Sequence, residues 1–82
     1  MWKVYLLRCH DGTYYSGCTS DLEKRLAEHD LGEVKYTSTR MPLELETYIA
    51  FKNKYTAFEF EKYLKSGSGI AFAKKRLRPP KL

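Results

Sequence analysis

Trp2-Lys3-Val4-Tyr5-Leu6-Leu7-Arg8 is followed by Cys9-His10-Asp11-Gly12 and then by Thr13-Tyr14-Tyr15-Ser16-Gly17-Cys18. Two β-prone runs separated by Asp-Gly read as a hairpin. Two registers fit. A two-residue Asp11-Gly12 turn sets Tyr5 and Tyr15 on opposite faces of the ribbon. A three-residue turn, with Gly12 in the left-handed position beside a bulge, opposes Tyr5 to Gly17 and Leu7 to Tyr15. Tyr5, Leu7 and Cys9 then share a face with Thr13, Tyr15 and Gly17, and this second register is favoured. Cys9 and Cys18 oppose one another in neither, so free thiols are expected.

Working outward, Ser20-Asp21-Leu22-Glu23 matches a capping box with Ser20 as N-cap, and Gly32 supplies a stop. A helix from about Asp21 to Leu31 follows. At about 100° per residue, Leu22, Arg25, Leu26 and His29 share one arc, so Arg25 and His29 border the apolar stripe. Val34 to Met41 reads as a polar loop. Leu43 to Phe51 alternates, with Leu43, Leu45, Thr47, Ile49 and Phe51 on one face of a strand. Thr56-Ala57-Phe58-Glu59 is a second capping-box match, opening a helix to about Lys65 that Ser66-Gly67-Ser68-Gly69 ends. A last helix spans about Ile70 to Leu77. The order β-β-α-β-α-α predicts an α+β domain, a small three-stranded antiparallel sheet packed by helices.

The 82 residues fit one domain, residues 1–82, with a basic tail at about 74–82. No apolar run is long enough to span a bilayer and the N-terminus has no signal-peptide pattern, so no membrane role and a cytoplasmic location are expected. Apolar residues make up 43% of the chain, enough for a core, and seven of the twelve aromatic residues are tyrosines. Charge is uneven. Residues 1–51 hold six Lys/Arg against eight Asp/Glu, whereas residues 52–82 hold nine against two. The basic half invites a polyanion, although such a run also fits a solvated face.

Zinc is unsupported, because two cysteines nine apart and two lone histidines lack ligand spacing. Gly67 and Gly69 lack the Lys-Ser/Thr of a phosphate-binding loop, and no spacing supports serine or cysteine hydrolysis. Glu61 stands out. On the second helix Ala57, Phe60 and Leu64 form the inner stripe, and Glu61 lies only about 40° from Ala57. An inward carboxylate is costly unless paired or bound to a metal; a salt bridge to Arg25 or Lys65 is the plainer explanation. Arg25 and His29, one turn apart, suit a phosphate grip and a proton acceptor, or a surface arginine and a histidine at a helix C-terminus.

Together these positions resemble the GIY-YIG nuclease superfamily, specifically its small stand-alone bacterial members. Lys3-Val4-Tyr5 stands at the first tripeptide and Tyr15-Ser16-Gly17 at the second; Tyr5, Tyr15 and Arg25 follow at ten-residue intervals. His29 lies one turn on, and Glu61 matches the family's metal-binding glutamate. The stretch from Tyr15 to Leu26 is the most specific, and Phe58 to Gly69 is also typical of the group. The resemblance implies metal-dependent hydrolysis of DNA phosphodiesters, directed by DNA structure or a protein partner more than by sequence. It implies one Mg²⁺ or Mn²⁺ on Glu61, Arg25 on the scissile phosphate, and Tyr5, Tyr15 or His29 handling the attacking water. A monomer or weak dimer is expected. Lys35, Tyr36, Arg40, Lys65, Lys74, Lys75, Arg76, Arg78 and Lys81 are candidates for backbone phosphates. The asparagine that the family often carries in its C-terminal part is absent, since the last one here is Asn53; Ser66 or Ser68 is the candidate replacement. A non-catalytic module binding nucleic acid or protein on the same fold is the competing expectation.

Overall fold

In the computed structural model, which describes residues 1–79, the hairpin adopts the three-residue turn. β1 (Trp2–Arg8) pairs with β2 (Tyr14–Thr19), with Tyr5 opposite Gly17 and Leu7 opposite Tyr15. Gly12 has φ +84°, and Cys9 N–H donates to Thr13 O at 2.8 Å. The positive φ explains the glycine, since a Cβ is disfavoured there. Both cysteines are free.

β3 (Glu44–Phe51) pairs antiparallel with the other side of β1, giving the order β2-β1-β3. The strict alternation expected for this strand fails at one point. Leu6 opposes Thr47 while Leu7 opposes Leu45, so Glu46 is an extra residue in a bulge. Thr47, Ile49 and Phe51 share the face of Val4 and Leu6, but Leu45 is turned to the face of Tyr5 and Leu7.

Helices cover both faces. α1 (Leu22–Asp30) lies on the Tyr5–Leu7 face, where Leu22 joins those two residues and Leu26 and Leu43 pack against them. Its N-cap is Asp21, whose carboxylate accepts from Lys24 N–H; Ser20, the expected cap, is one residue too early. α2 (Lys35–Ser38) is a single turn within the segment read as loop. On the opposite face α3 (Lys54–Leu64) and α4 (Gly67–Arg76) bury Ala57, Leu64 and Ala73 against Val4. α3 starts two residues before the expected cap, because Asn53 accepts from Tyr55 and Thr56 N–H.

α3 ends at Leu64, just before Ser66 to Gly69 as expected, but this stretch also begins the next helix, three residues earlier than expected. Ser66 caps α4 by accepting from Gly69 N–H. A Cβ at Gly69 would collide with the Tyr63 carbonyl, a backbone atom that cannot yield. The glycine therefore serves the close approach of α4 to the end of α3. The observed order is the expected β-β-α-β-α-α with one added turn.

Candidate active site

The residues singled out from the sequence converge around Tyr5, a middle residue of the central strand. Tyr5 is 1% exposed and is the largest fully buried side chain. Its hydroxyl meets His29 Nε2 at 2.9 Å and accepts from Arg25 Nε–H at 3.3 Å. Gly17, opposite it, has no room for a Cβ, which would overlap the Tyr5 phenol. That contact gives the glycine of Tyr15-Ser16-Gly17 a steric reason.

His29, also 1% exposed, is held at its other nitrogen. Nδ1 lies 2.8 Å from Thr37 Oγ1, and Thr37 donates to Val34 O at 3.3 Å. These partners assign the tautomer. Arg25 offers Tyr5 only donors, so the phenol proton points to Nε2; Thr37 gives its proton to Val34 O, so it accepts from Nδ1–H. A directed chain results, from Arg25 through Tyr5 and His29 to Thr37. Burial first, and then the Arg25 charge, hold the His29 pKa below its ordinary value, keeping the imidazole a neutral acceptor. Burial raises the Tyr5 pKa, with the Arg25 hydrogen bond opposing it. The bonds to Tyr5 and Glu28 raise that of Arg25.

Arg25 pairs with Glu28 Oε1 at 3.0 Å, and the nearby Tyr15 hydroxyl adds to the rise in its pKa. Tyr15 is half-buried. Its ring lies 5.1 Å from that of His29 and 5.7 Å from that of Tyr36. Tyr5, Tyr15, Arg25 and His29 thus form one cluster, with Tyr36 on its rim.

Glu61 approaches from α3, with 19% of its side chain exposed, as its place on the helical wheel predicts. Burial raises the pKa of Cys18 as it does that of Tyr5, and the Glu61 negative charge adds a smaller rise to both. Of the two salt-bridge partners considered, the one found is Lys65, whose Nζ lies 2.6 Å from Oε2. The contact falls outside hydrogen-bond geometry, so the ammonium meets Oε2 as an ion pair and not as a well-aligned donor among the described residues. A carboxylate oxygen with spare lone pairs fits a hard cation such as Mg²⁺ or Mn²⁺. No group of three or more His, Cys, Asp and Glu forms among the described residues. Any ion on Glu61 would take most of its ligands from water and substrate.

The basic candidates divide. Arg40 stacks 3.9 Å from the Tyr36 ring centre, with its Nε 3.2 Å from Asp11 Oδ2. Arg78 stacks 4.1 Å from the Tyr14 ring. Tyr14, Tyr15, Tyr36, Lys65, Ile70 and Arg78 face a groove of about 390 Å³ along the free edge of β2. Lys35 is exposed on α2, and Lys74, Lys75 and Arg76 are exposed on the last turn of α4, outside that groove. Lys81 lies outside the described residues. Ser66 is committed to its cap, and Asn53 to that of α3, so neither reaches the cluster. Sequence reasoning missed Thr37, Glu28 and Tyr14. Thr37 sat in an apparent loop with no periodicity to mark it.

A guanidinium and a phenol–imidazole pair thus meet at the centre of a small α+β scaffold, with the Glu61 carboxylate turned inward from α3. A model of the GIY-YIG catalytic domain matches residues 1–74, and the chain belongs to this nuclease superfamily. It is 39% identical over 82 residues to a UPF0213 protein of Cupriavidus pinatubonensis, covering 95% of this chain and 91% of that one. It is 48% identical over 63 residues to the UPF0213 protein YsiG of Lactococcus lactis, covering 76% of this chain and 61% of YsiG. A UPF0213 protein from Bacillus halodurans, solved by solution NMR, is similar in structure with a TM-score of 0.61 and 33% identity, over 96% of this chain and 89% of that one. No helix among the described residues is long and apolar enough to cross a membrane.

Proposed function

We propose that this protein is a divalent-metal-dependent endonuclease that hydrolyses DNA phosphodiester bonds in the cytoplasm. The observation that carries the reading is the buried chain from Arg25 through Tyr5 to neutral His29, with the inward Glu61 carboxylate on the adjoining helix held only by the Lys65 ion pair.

Glu61 would hold the metal. When bound, the ion supplies electrostatic stabilisation of the charge that builds on the leaving oxygen. Arg25 neutralises the scissile phosphate, a charge-assisted contact that strengthens as the transition state gathers negative charge. His29 does not touch water directly, because both ring nitrogens are engaged. It acts through Tyr5. As the phenol accepts a proton from the attacking water, its own proton passes to Nε2, so no free phenolate accumulates in a buried place. Arg25 Nε–H holds the phenol oxygen throughout, and Thr37 keeps Nε2 free to receive the proton. Tyr15, more open than Tyr5 and within reach of Arg25, orients the water and phosphate. Lys65, with 59% of its side chain exposed, can swing from Glu61 to a substrate phosphate.

The Lys65–Glu61 pair also favours the competing reading, a binding module whose carboxylate is permanently occupied. Nicking of supercoiled plasmid and of branched DNA in Mg²⁺ or Mn²⁺ separates the two. Glu61→Ala and Arg25→Ala, both confirmed folded, should abolish the cleavage shown by wild type. No cleavage of any DNA by wild type, with DNA binding unchanged in Glu61→Ala, would establish the binding module instead.

A further inference from the structure

We propose that the groove along the free edge of β2 accepts an unpaired nucleotide, making DNA with a single-stranded segment the substrate class. The inference rests on the reading of the neighbouring cluster as a DNA-acting site.

β2 is an outer strand, so Tyr14 and Tyr15, which point to opposite faces, both reach the groove that wraps its edge. Tyr36, 40% exposed, extends the tyrosine wall, and Ile70 on α4, 48% exposed, faces it from the other side. Cations ring these apolar surfaces. Arg78 lies over Tyr14, Arg40 lies over Tyr36, and Lys65 lines the groove while pairing with Glu61. Flat apolar walls with charge at the rim match a nucleotide in two parts. The base stacks on the rings, and the phosphates meet the guanidinium and ammonium groups.

A duplex cannot fill such a groove, because its bases are stacked on one another and only phosphates face outward. A surface that only followed the duplex backbone would use cations without an apolar slot. The slot is also continuous with the proposed chemistry. Tyr15 lines it with its ring beside those of Tyr5 and His29 and its hydroxyl near Arg25, while Lys65 lines it and pairs with Glu61. A base held there puts its adjoining phosphate beside Arg25 and Glu61, which favours cleavage next to an unpaired nucleotide.

The test measures binding in EDTA, without cleavage, to a fluorescein-labelled single strand and to a hairpin duplex of equal nucleotide count at fixed salt. Wild type should favour the single strand. A single strand carrying 2-aminopurine should lose fluorescence on binding as the base stacks. Tyr36→Ala, at an exposed position outside both core clusters, should weaken single-strand binding roughly 5- to 150-fold while leaving duplex binding nearly unchanged. Tyr36→Phe should behave as wild type, since it keeps the ring. Ile70→Glu, which brings a like charge to the opposite wall, should remove the preference by a second route. Equal affinity for the two DNAs, equal weakening of both by Tyr36→Ala, or no binding to either would overturn the inference. Preference for the single strand in a protein that cuts no DNA would overturn the nuclease reading and leave this one standing.

Discussion

Replacing Thr37 by valine isolates one hydrogen bond in a fully buried place. Valine keeps the shape of threonine and exchanges the hydroxyl for a methyl group, so at 0% exposure a packing argument alone predicts equal or greater stability. The hydrogen-bond network predicts the opposite sign. Without Oγ1, His29 Nδ1–H has no acceptor, whereas Val34 O still accepts from Ser38 N–H at 2.9 Å. The loss is therefore one buried donor, about 1–3 kcal/mol. For a domain of this size each kcal/mol moves the melting temperature by about 4–8 °C, so the variant should melt at least about 4 °C lower. Thermal unfolding by circular dichroism measures this. ¹⁵N NMR of the imidazole measures the second consequence, a His29 ring in which the Nδ1–H tautomer is no longer enforced. If Thr37→Val melts at or above the wild-type temperature with the tautomer unchanged, the assigned chain from Arg25 to Thr37 is wrong.

Acidification should weaken the fold in a defined window. The folded His29 pKa lies below its ordinary 6.5, so between those values the unfolded chain binds a proton that the native imidazole refuses. Stability should hold above about pH 6.5 and fall as the pH drops below it, levelling once the folded pKa is passed. Urea titrations at several pH values should show a slope that His29→Gln removes; Asp11, also shifted down, responds only below its ordinary 3.8. Cleavage by the folded protein should weaken only lower, as the pH approaches the folded pKa and protonated His29 can no longer accept from Tyr5. Tyr5→Phe should cost about 1–3 kcal/mol by leaving His29 Nε2 without a donor and should suppress cleavage, read together by calorimetry and plasmid nicking. Gly69→Ala should prove more damaging to the fold than Gly12→Ala, because its Cβ meets backbone while that of Gly12 meets nothing within 4 Å; denaturation midpoints rank the two.

The hairpin was legible because its turn carries its own chemistry, while the register is fixed by Gly12 alone being left-handed, since a two-residue type I′ turn would need Asp11 there as well. The inward faces of α1 and α3 were legible for a similar reason. Helical spacing alone brings His29 and Glu61 toward the core, and His29 is found in it and Glu61 at its border. Helix starts were less legible, since Ser20, Asp21, Asn53 and Thr56 are all competent caps and tertiary packing chooses among them. Ser66 to Gly69 misled for a deeper reason. Glycine and serine disfavour a helix interior, yet α4 crosses so close to Tyr63 that only glycine fits at position 69. The bulge at Glu46 leaves no mark in a run that alternates well. Thr37 becomes a site residue only when α2 brings it 2.8 Å from His29.

The burial of Tyr5 means that one hydroxyl belongs both to the core and to the site. In a saturation library read separately for abundance and for cleavage, losses at Tyr5, Gly17 and His29 should appear in both readouts. Losses at Arg25, Tyr15 and Glu61, which stand at the border of the core, should fall on cleavage alone. A sorted map of that kind would outline the catalytic surface without a substrate complex. It would also show that the central strand has little freedom to shed the chemistry and keep the fold.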